Sequence, residues 1–197
     1  MDGATRAHLK MLYRVIKYIF DTEHWKLKMN PQFNMNNMIW TIEAYCDSDY
    51  SGDKDTRISV SGFIIFVLGC AVSWKSKAQK SITLSSTEAE YVAISELCTE
   101  LLFIKQVLEF LGAKIDFPMI VRVDNVGAIY LAKNQTTGQQ TKHIDICYHF
   151  VREFIEDGII KIIFVKSEEN MADIFTKTVK ESLNSALTED YMHKEEN

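Results

Sequence analysis

The sequence predicts an α/β fold in which helices flank a mixed five-stranded sheet, three antiparallel strands followed by parallel ones. Three observations carry this. Apolar, β-rich segments follow one another between residues 42 and 84 with no helical stretch among them, the signature of an antiparallel meander. Residues 87–111 then place Leu97, Leu101, Ile104, Leu108 and Leu111 at spacings of four and three, the period of one helix face. The two remaining apolar strands are separated by helical segments, as crossovers between parallel strands require. With 197 residues, 47% of them hydrophobic, and only two prolines and eight glycines, the chain can bury one sizeable core with long elements.

The elements follow in order. Residues 5–20 set Leu9, Leu12, Val15, Ile16 and Ile19 on one stripe, with Lys10, Arg14 and Lys17 largely opposite, an amphipathic helix whose apolar face seeks a partner. Asp21 to Trp40 is polar, rich in Asn and Met, and carries Pro31; it reads as a linker holding one short strand. Ile42 to Cys46 is the first strand of the meander, Ser59 to Leu68 the second, and Ala71 to Leu84 the third, broken by the polar segment KSKAQKS. The long helix comes next, and Gly112 stops it. Strand Met119 to Val123, helix Val126 to Lys133, a polar loop from Asn134 to Thr141 and a helix from Ile144 to Glu156 follow. Asp157-Gly158 ends that helix; a last strand, Ile159 to Val165, leads to a helix opened by Asn170.

The formal charge of −5 argues against a free-standing, strongly basic nucleic-acid binder, so any phosphate-binding surface must be local. Cys46, Cys70, Cys98 and Cys147 show no C-x-x-C spacing and sit in apolar contexts, which points to reduced, buried thiols and an intracellular compartment. Lys10, Arg14 and Lys17 interrupt the N-terminal apolar residues as no signal peptide does. No stretch approaches the roughly 20 apolar residues of a membrane span, so a soluble protein is expected.

Four acids, each in its own motif, stand out: Asp47 in AYCDSDYSGD, Glu90 in SSTEAEYVA, Asp124 in VRVDN and Asp173 in ENMADIFTK. Each has an ordinary explanation. Asp47 and Asp49 suit a polar turn after a strand. Glu90 can close a T-x-x-E capping box with Thr87. Asp173 suits the first turn of a helix capped by Asn170, and Asp124-Asn125 is a common exit from a sheet. As a set they read as a candidate divalent-metal site, because ions about 3.5–4 Å apart need hard carboxylate oxygens that no single helix or loop supplies.

In chain order these motifs resemble the ribonuclease H domain of copia-type retrotransposons. The blocks DSDYSGD, SGFIIFVLGCAVSWKSKAQKSITLSSTEAEYVAISE, VDNVGAIYLAKN, TKHIDICYHFVREFIEDG and ENMADIFTK are similar to successive family blocks and cover residues 41–178. Residues 1–40 resemble the connection from a reverse transcriptase domain, and residues 179–197 form a charged tail without a match. The resemblance implies a ribonuclease H-like fold, with Asp47, Glu90, Asp124 and Asp173 as catalytic metal ligands. It also selects Glu90 over Glu88, by its place before the run YVAI, and leaves Asp49 a lesser candidate. Cellular ribonucleases H carry a histidine in the loop before the last helix, whereas Lys166-Ser167-Glu168-Glu169 has none. His143 is a remote alternative, more simply read as structural.

The implied reaction is endonucleolytic hydrolysis of the RNA strand of an RNA–DNA hybrid during reverse transcription, with two Mg²⁺ ions (Mn²⁺ substituting), Asp47 bridging them, and 5′-phosphate and 3′-hydroxyl products. Asn125, Ser85 and Ser86 are candidate donors to RNA 2′-hydroxyls. Lys75, Lys77, Lys80, Lys133 and Lys142 are candidate phosphate contacts, although a solvated surface explains them equally well. The amphipathic stripe of residues 5–20 would pack on the reverse transcriptase of the same polyprotein, in the cytoplasm, in virus-like particles or in the nucleus. Two other classes stay open: a catalytically silent Pol remnant serving as a binding module, and another nuclease of the same superfold, such as an integrase core. The chain has no YVDD-like box, so polymerisation is not expected of it.

Overall fold

Thr5 opens the first helix, α1 (Arg6–Asp21), accepting from the His8 amide while its own amide donates to His8 Nδ1. The computed structural model describes residues 5–32, 39–52, 56–80, 82–134, 142–179, 181–189 and 191–194. None of the α1 residues is buried, and Leu9, Leu12, Val15, Ile16 and Ile19 all face outward. The segment read as a linker holds two short strands. β1 (Trp25–Leu27) pairs with a strand near the C-terminus, and β2 (Ile39–Trp40) pairs in parallel with a strand that follows the long helix.

The central sheet begins with β3 (Ile42–Asp49), β4 (Val60–Val67) and β5 (Cys70–Ala78), the expected meander. Two boundaries differ from the sequence reading. β3 runs on to Asp49, because Asp47, Ser48 and Asp49 each find a β4 partner in Gly62, Ser61 and Val60. A polar tail that looked like a turn is therefore strand. β5 in turn stops at Ala78 rather than Leu84, where Gln79 turns inward and donates to Ser61 Oγ and the Ala89 carbonyl, both at 2.9 Å.

Helix α2 (Ser86–Phe110) lies on one face of the sheet, followed by β6 (Lys114–Ile115), the partner of β2, then β7 (Met119–Val123) and α3 (Val126–Lys133). Helix α4 (Lys142–Glu156), β8 (Ile160–Phe164), α5 (Glu181–Thr188) and β9 (Met192–Lys194) complete the order. The stretch read as a charged tail thus contains a helix and a strand, β9 being the antiparallel partner of β1. The five-stranded sheet has the order β5-β4-β3-β7-β8, with β3, β7 and β8 mutually parallel and the β5-β4-β3 side antiparallel.

Strand alternation sorts the side chains into two layers. Ile42, Ala44 and Cys46 of β3, with Phe63, Ile65 and Val67 of β4, pack against Ile94, Leu97 and Leu101 of α2 and Val151 of α4. On the opposite face Tyr45, Ile64 and Phe66 meet Val165, Ala172 and Tyr191. That second layer is built by the chain after β8, where a helix beginning at Asn170 was expected. The structure has instead two 3₁₀ turns, Ser167–Glu169 and Asp173–Phe175. Asn170, fully buried, is committed across the sheet. Its Nδ2 donates to the Cys46 carbonyl at 3.0 Å, and its Oδ1 accepts from the Ala172 amide at 3.1 Å. Cys46, Cys70 and Cys98 are buried free thiols, Cys147 is partly buried, and among the described residues no helix is long and apolar enough to cross a membrane.

Candidate metal centre

β3 and β7 run parallel with Glu43 beside Ile120 and Tyr45 beside Arg122, so continuing that register sets Asp47 level with Asp124. Both acids emerge at the carboxyl edge of the parallel strands, where open α/β sheets place their sites. Asp173 reaches the same point from the 3₁₀ turn on the second layer. Ligand oxygens of Asp47, Asp124 and Asp173 all lie within 4.8 Å of one another, although the three residues are far apart in sequence.

Glu90 approaches from the helix side. Its Oε1 accepts from the Ser48 amide at 3.2 Å, while its Oε2 is buried without a hydrogen-bond partner. The capping box that competed for Glu90 does not form around it. Ser85 is the cap of α2, its Oγ accepting from the Glu88 amide at 3.2 Å, and Glu88 closes back onto the Leu84 amide. Two residues further on, Glu90 is left to the sheet. Glu88 is thereby occupied outside the cluster. Asp49 is also apart from the three clustered acids, folded over Gly52 so that a Cβ there would collide with its carboxylate.

So many carboxylates in so little water raise one another's proton affinity. Burial, with the charges of Asp47 and Asp124 added, pushes the Glu90 carboxyl up to about 8. Burial and then Asp47 push Asp173 up to about 6, against the opposing pull of Lys177. Asp47 is also raised, burial outweighing a hydrogen bond from Thr176 Oγ1 and the charge of Lys177. Burial lifts the Cys46 thiol far above its ordinary range, which keeps it neutral beside the acids.

Several neighbours escaped the sequence reading. Lys177 Nζ stands 3.1 Å from Asp173 Oδ1 and 3.4 Å from Asp47 Oδ1. Thr176 donates to Asp47, and Ser167 Oγ donates to Asp124 Oδ2 at 2.6 Å. The legible signal was the four-residue spacing of Asp173 and Lys177 in DIFTK, which puts an acid and a base within reach on any helical turn. Ser167 carried none, since only the adjacency of β7 and β8 brings it to Asp124.

The remaining candidates are dispersed. Asn125 caps α3, its Oδ1 accepting from the Ala128 amide at 2.9 Å, and Ser86 is exposed at the start of α2. Lys75 lies over the Phe63 ring on edge strand β5, beside exposed Lys77 and, just past the strand, exposed Lys80, while Lys133 is exposed at the end of α3. The side chains of Lys142 and His143 lie outside the described residues.

Three clustered carboxylates against one ammonium leave an excess of negative charge, and hard oxygens within 4.8 Å of one another suit a divalent cation. The partnerless Glu90 Oε2 is a further oxygen with nothing from the protein to bind.

No protein-family model matches the chain. Among curated proteins it is 34% identical over 177 residues to the retrovirus-related Pol polyprotein from transposon RE1 of Arabidopsis thaliana, a match spanning 90% of this chain and 12% of that protein. It is 41% identical over 138 residues to the Pol polyprotein from transposon TNT 1-94 of Nicotiana tabacum, spanning 70% and 10%. The chain thus spans about a tenth of the length of the curated relatives it matches. Among solved structures it is similar to LC11-RNase H1 in complex with RNA/DNA hybrid, with a TM-score of 0.50 and 16% identity over 69% of this chain and 94% of that one. That likeness establishes a ribonuclease H-like fold.

Proposed function

The chain belongs to the Pol polyproteins of copia-type retrotransposons, as a segment with a ribonuclease H fold, and from this premise we propose that it is their ribonuclease H, cutting the RNA strand of RNA–DNA hybrids formed in reverse transcription. The observation that carries the proposal is the meeting of Asp47, Asp124 and Asp173, with Glu90 beside them, at the carboxyl edge of β3 and β7.

These four residues would hold divalent cations, Mg²⁺ or Mn²⁺. Held there, such ions would supply positive charge against the phosphodiester and would make a bound water more acidic. The protein's part is to keep the carboxylates converged and poor in water. Ser167 orients Asp124, Thr176 orients Asp47, and the Ser48 amide fixes one oxygen of Glu90. The absence of histidine from residues 166–169 leaves this chain without the proton carrier that cellular enzymes place there.

Selectivity for RNA would come from donors to 2′-hydroxyls. Ser85 and Asn125 use acceptor oxygens as helix caps, and a hydroxyl or amide that accepts at oxygen keeps its hydrogens to donate. Ser86, Lys75, Lys77, Lys80, Lys133 and Lys142 are the further proposed contacts. The wholly exposed apolar face of α1 is proposed to pack on the reverse transcriptase domain of the polyprotein.

The test is cleavage of an end-labelled hybrid by the purified chain in Mg²⁺ or Mn²⁺. Asp124→Asn should lower cutting of the RNA strand by more than about 100-fold, a loss already typical of residues that only orient metal ligands. Matched single-stranded RNA and duplex DNA should stay intact. A folded protein that binds hybrid yet leaves both strands whole would overturn the proposal in favour of a silent binding module.

A further inference from the structure

Among the described residues the other ion pairs join exposed or partly exposed side chains. Lys17 and Asp21, for instance, have side chains 78% and 58% exposed, and such pairs contribute little. Lys177 differs. From a half-exposed position it reaches two carboxylates that are almost wholly buried, Asp47 at 2% and Asp173 at 8% side-chain exposure. Its nitrogen stands 3.4 and 3.1 Å from oxygens of the very residues whose ligand atoms converge. Thr176, its chain neighbour, donates to the other oxygen of Asp47, so a single short segment addresses both sides of that carboxylate. Asp173 and Lys177 share that segment, with the Lys177 amide donating to the Asp173 carbonyl at 3.1 Å, which holds the ammonium in register with the cluster.

We propose that Lys177 is a tethered counter-ion that fills the acidic centre when it is ion-free and must withdraw toward solvent when a divalent cation enters. The inference rests on the metal-binding reading of the four acids. An ammonium cannot share two carboxylate oxygens with a divalent ion at coordination distance, because like charges at 3–4 Å repel by several kcal/mol even at an effective dielectric constant of about 20. Lys177 therefore acts in two directions. It keeps Asp47 and Asp173 from repelling each other in the empty protein, and it lowers the affinity for the first ion. Its four-carbon stem and partial exposure give it somewhere to go.

The test is calorimetric titration of Mn²⁺ into ion-free protein at low salt, together with thermal unfolding in chelator. Lys177→Met, which keeps an unbranched stem one atom shorter and removes the charge, should bind Mn²⁺ about tenfold more tightly, a change worth about 1.4 kcal/mol. In chelator it should unfold about 2–4 °C lower. Lys177→Arg, which retains the charge, should stay near wild type in both. Lys161→Met, which removes an exposed charge on β8, should move Mn²⁺ affinity by less than about twofold. Unchanged or weaker Mn²⁺ binding by Lys177→Met, with wild-type binding intact, would overturn the counter-ion role and leave the functional reading standing. No binding by either protein would overturn both.

Discussion

Glu90 should make the ion-free protein less stable as pH rises, and Glu90→Gln should abolish that loss. The carboxyl is 5% exposed, one oxygen has no hydrogen-bond partner, and its titration moves from 4.5 to about 8 on folding, through burial and the charges of Asp47 and Asp124. A group with a raised folded-state pKa contributes stability that is fully present below its unfolded value and is lost as pH climbs through the folded one. The window is therefore pH 4.5 to about 8. At about 1.4 kcal/mol per pH unit the loss is about 3 kcal/mol at pH 7 and approaches 5 kcal/mol above pH 8. Gln has nearly the same shape and never ionises, so the two proteins should match near pH 4.5 and diverge steadily, the variant becoming the more stable. The assay is urea unfolding in chelator followed by circular dichroism at several pH values. With a slope of about 2 kcal/mol per molar urea, 3 kcal/mol moves the midpoint by about 1.5 M at pH 7. Mg²⁺ added at pH 8 should restore the wild type and help the variant much less. A difference between the two proteins that stays flat from pH 4.5 to 8 would refute the claim that Glu90 is forced into this acidic, water-poor corner.

Two further predictions concern what holds the cluster together. A Cβ added at Gly62 would lie 2.6 Å from Thr176 Cγ2 and 2.8 Å from Phe175 Cβ, so Gly62→Ala should push the 3₁₀ turn off the sheet. It should cost about 1–3 kcal/mol in chemical denaturation and lower hybrid cleavage, and a fully active, fully stable variant would contradict this close approach. Gln79→Leu strips the Ser61 hydroxyl and the Ala89 carbonyl of their shared donor beside Glu90. It should destabilise by about 2–3 kcal/mol and lower kcat more than it weakens hybrid binding, checked by single-turnover cleavage alongside hybrid titration.

Much of the fold could be read from local pattern. The spacing of Leu97, Leu101 and Leu108 marked α2, and the unbroken apolar run Phe63 to Val67, buried on both faces of the sheet, marked β4, because burial is written into the order of side chains. Errors fell where a tertiary partner overrode local preference. Asp47 to Asp49 look like a turn, yet the edge of β4 supplies their backbone partners. Asn170 looks like a helix cap, yet its amide is spent on the Cys46 carbonyl across the layer, and the chain after it tightens into 3₁₀ turns. Thr87 and Ser85 offer competing caps for α2, and only the geometry of Leu84 to Glu88 chooses Ser85.

By itself the sequence determined which acids to consider, since their motifs occur in a recognisable order. It also determined the sheet-and-helix class, since hydrophobic periodicity acts over neighbours in the chain. Tertiary structure alone decided that Asp47, Asp124 and Asp173 meet within 4.8 Å, that Glu90 keeps a bare oxygen beside them, and that Lys177 supplies the one ammonium found among them in the described residues. The reason is physical: charge–charge coupling and desolvation depend on distance through space, and the parallel register of β3 with β7 closes a gap of 77 positions that no local rule can span.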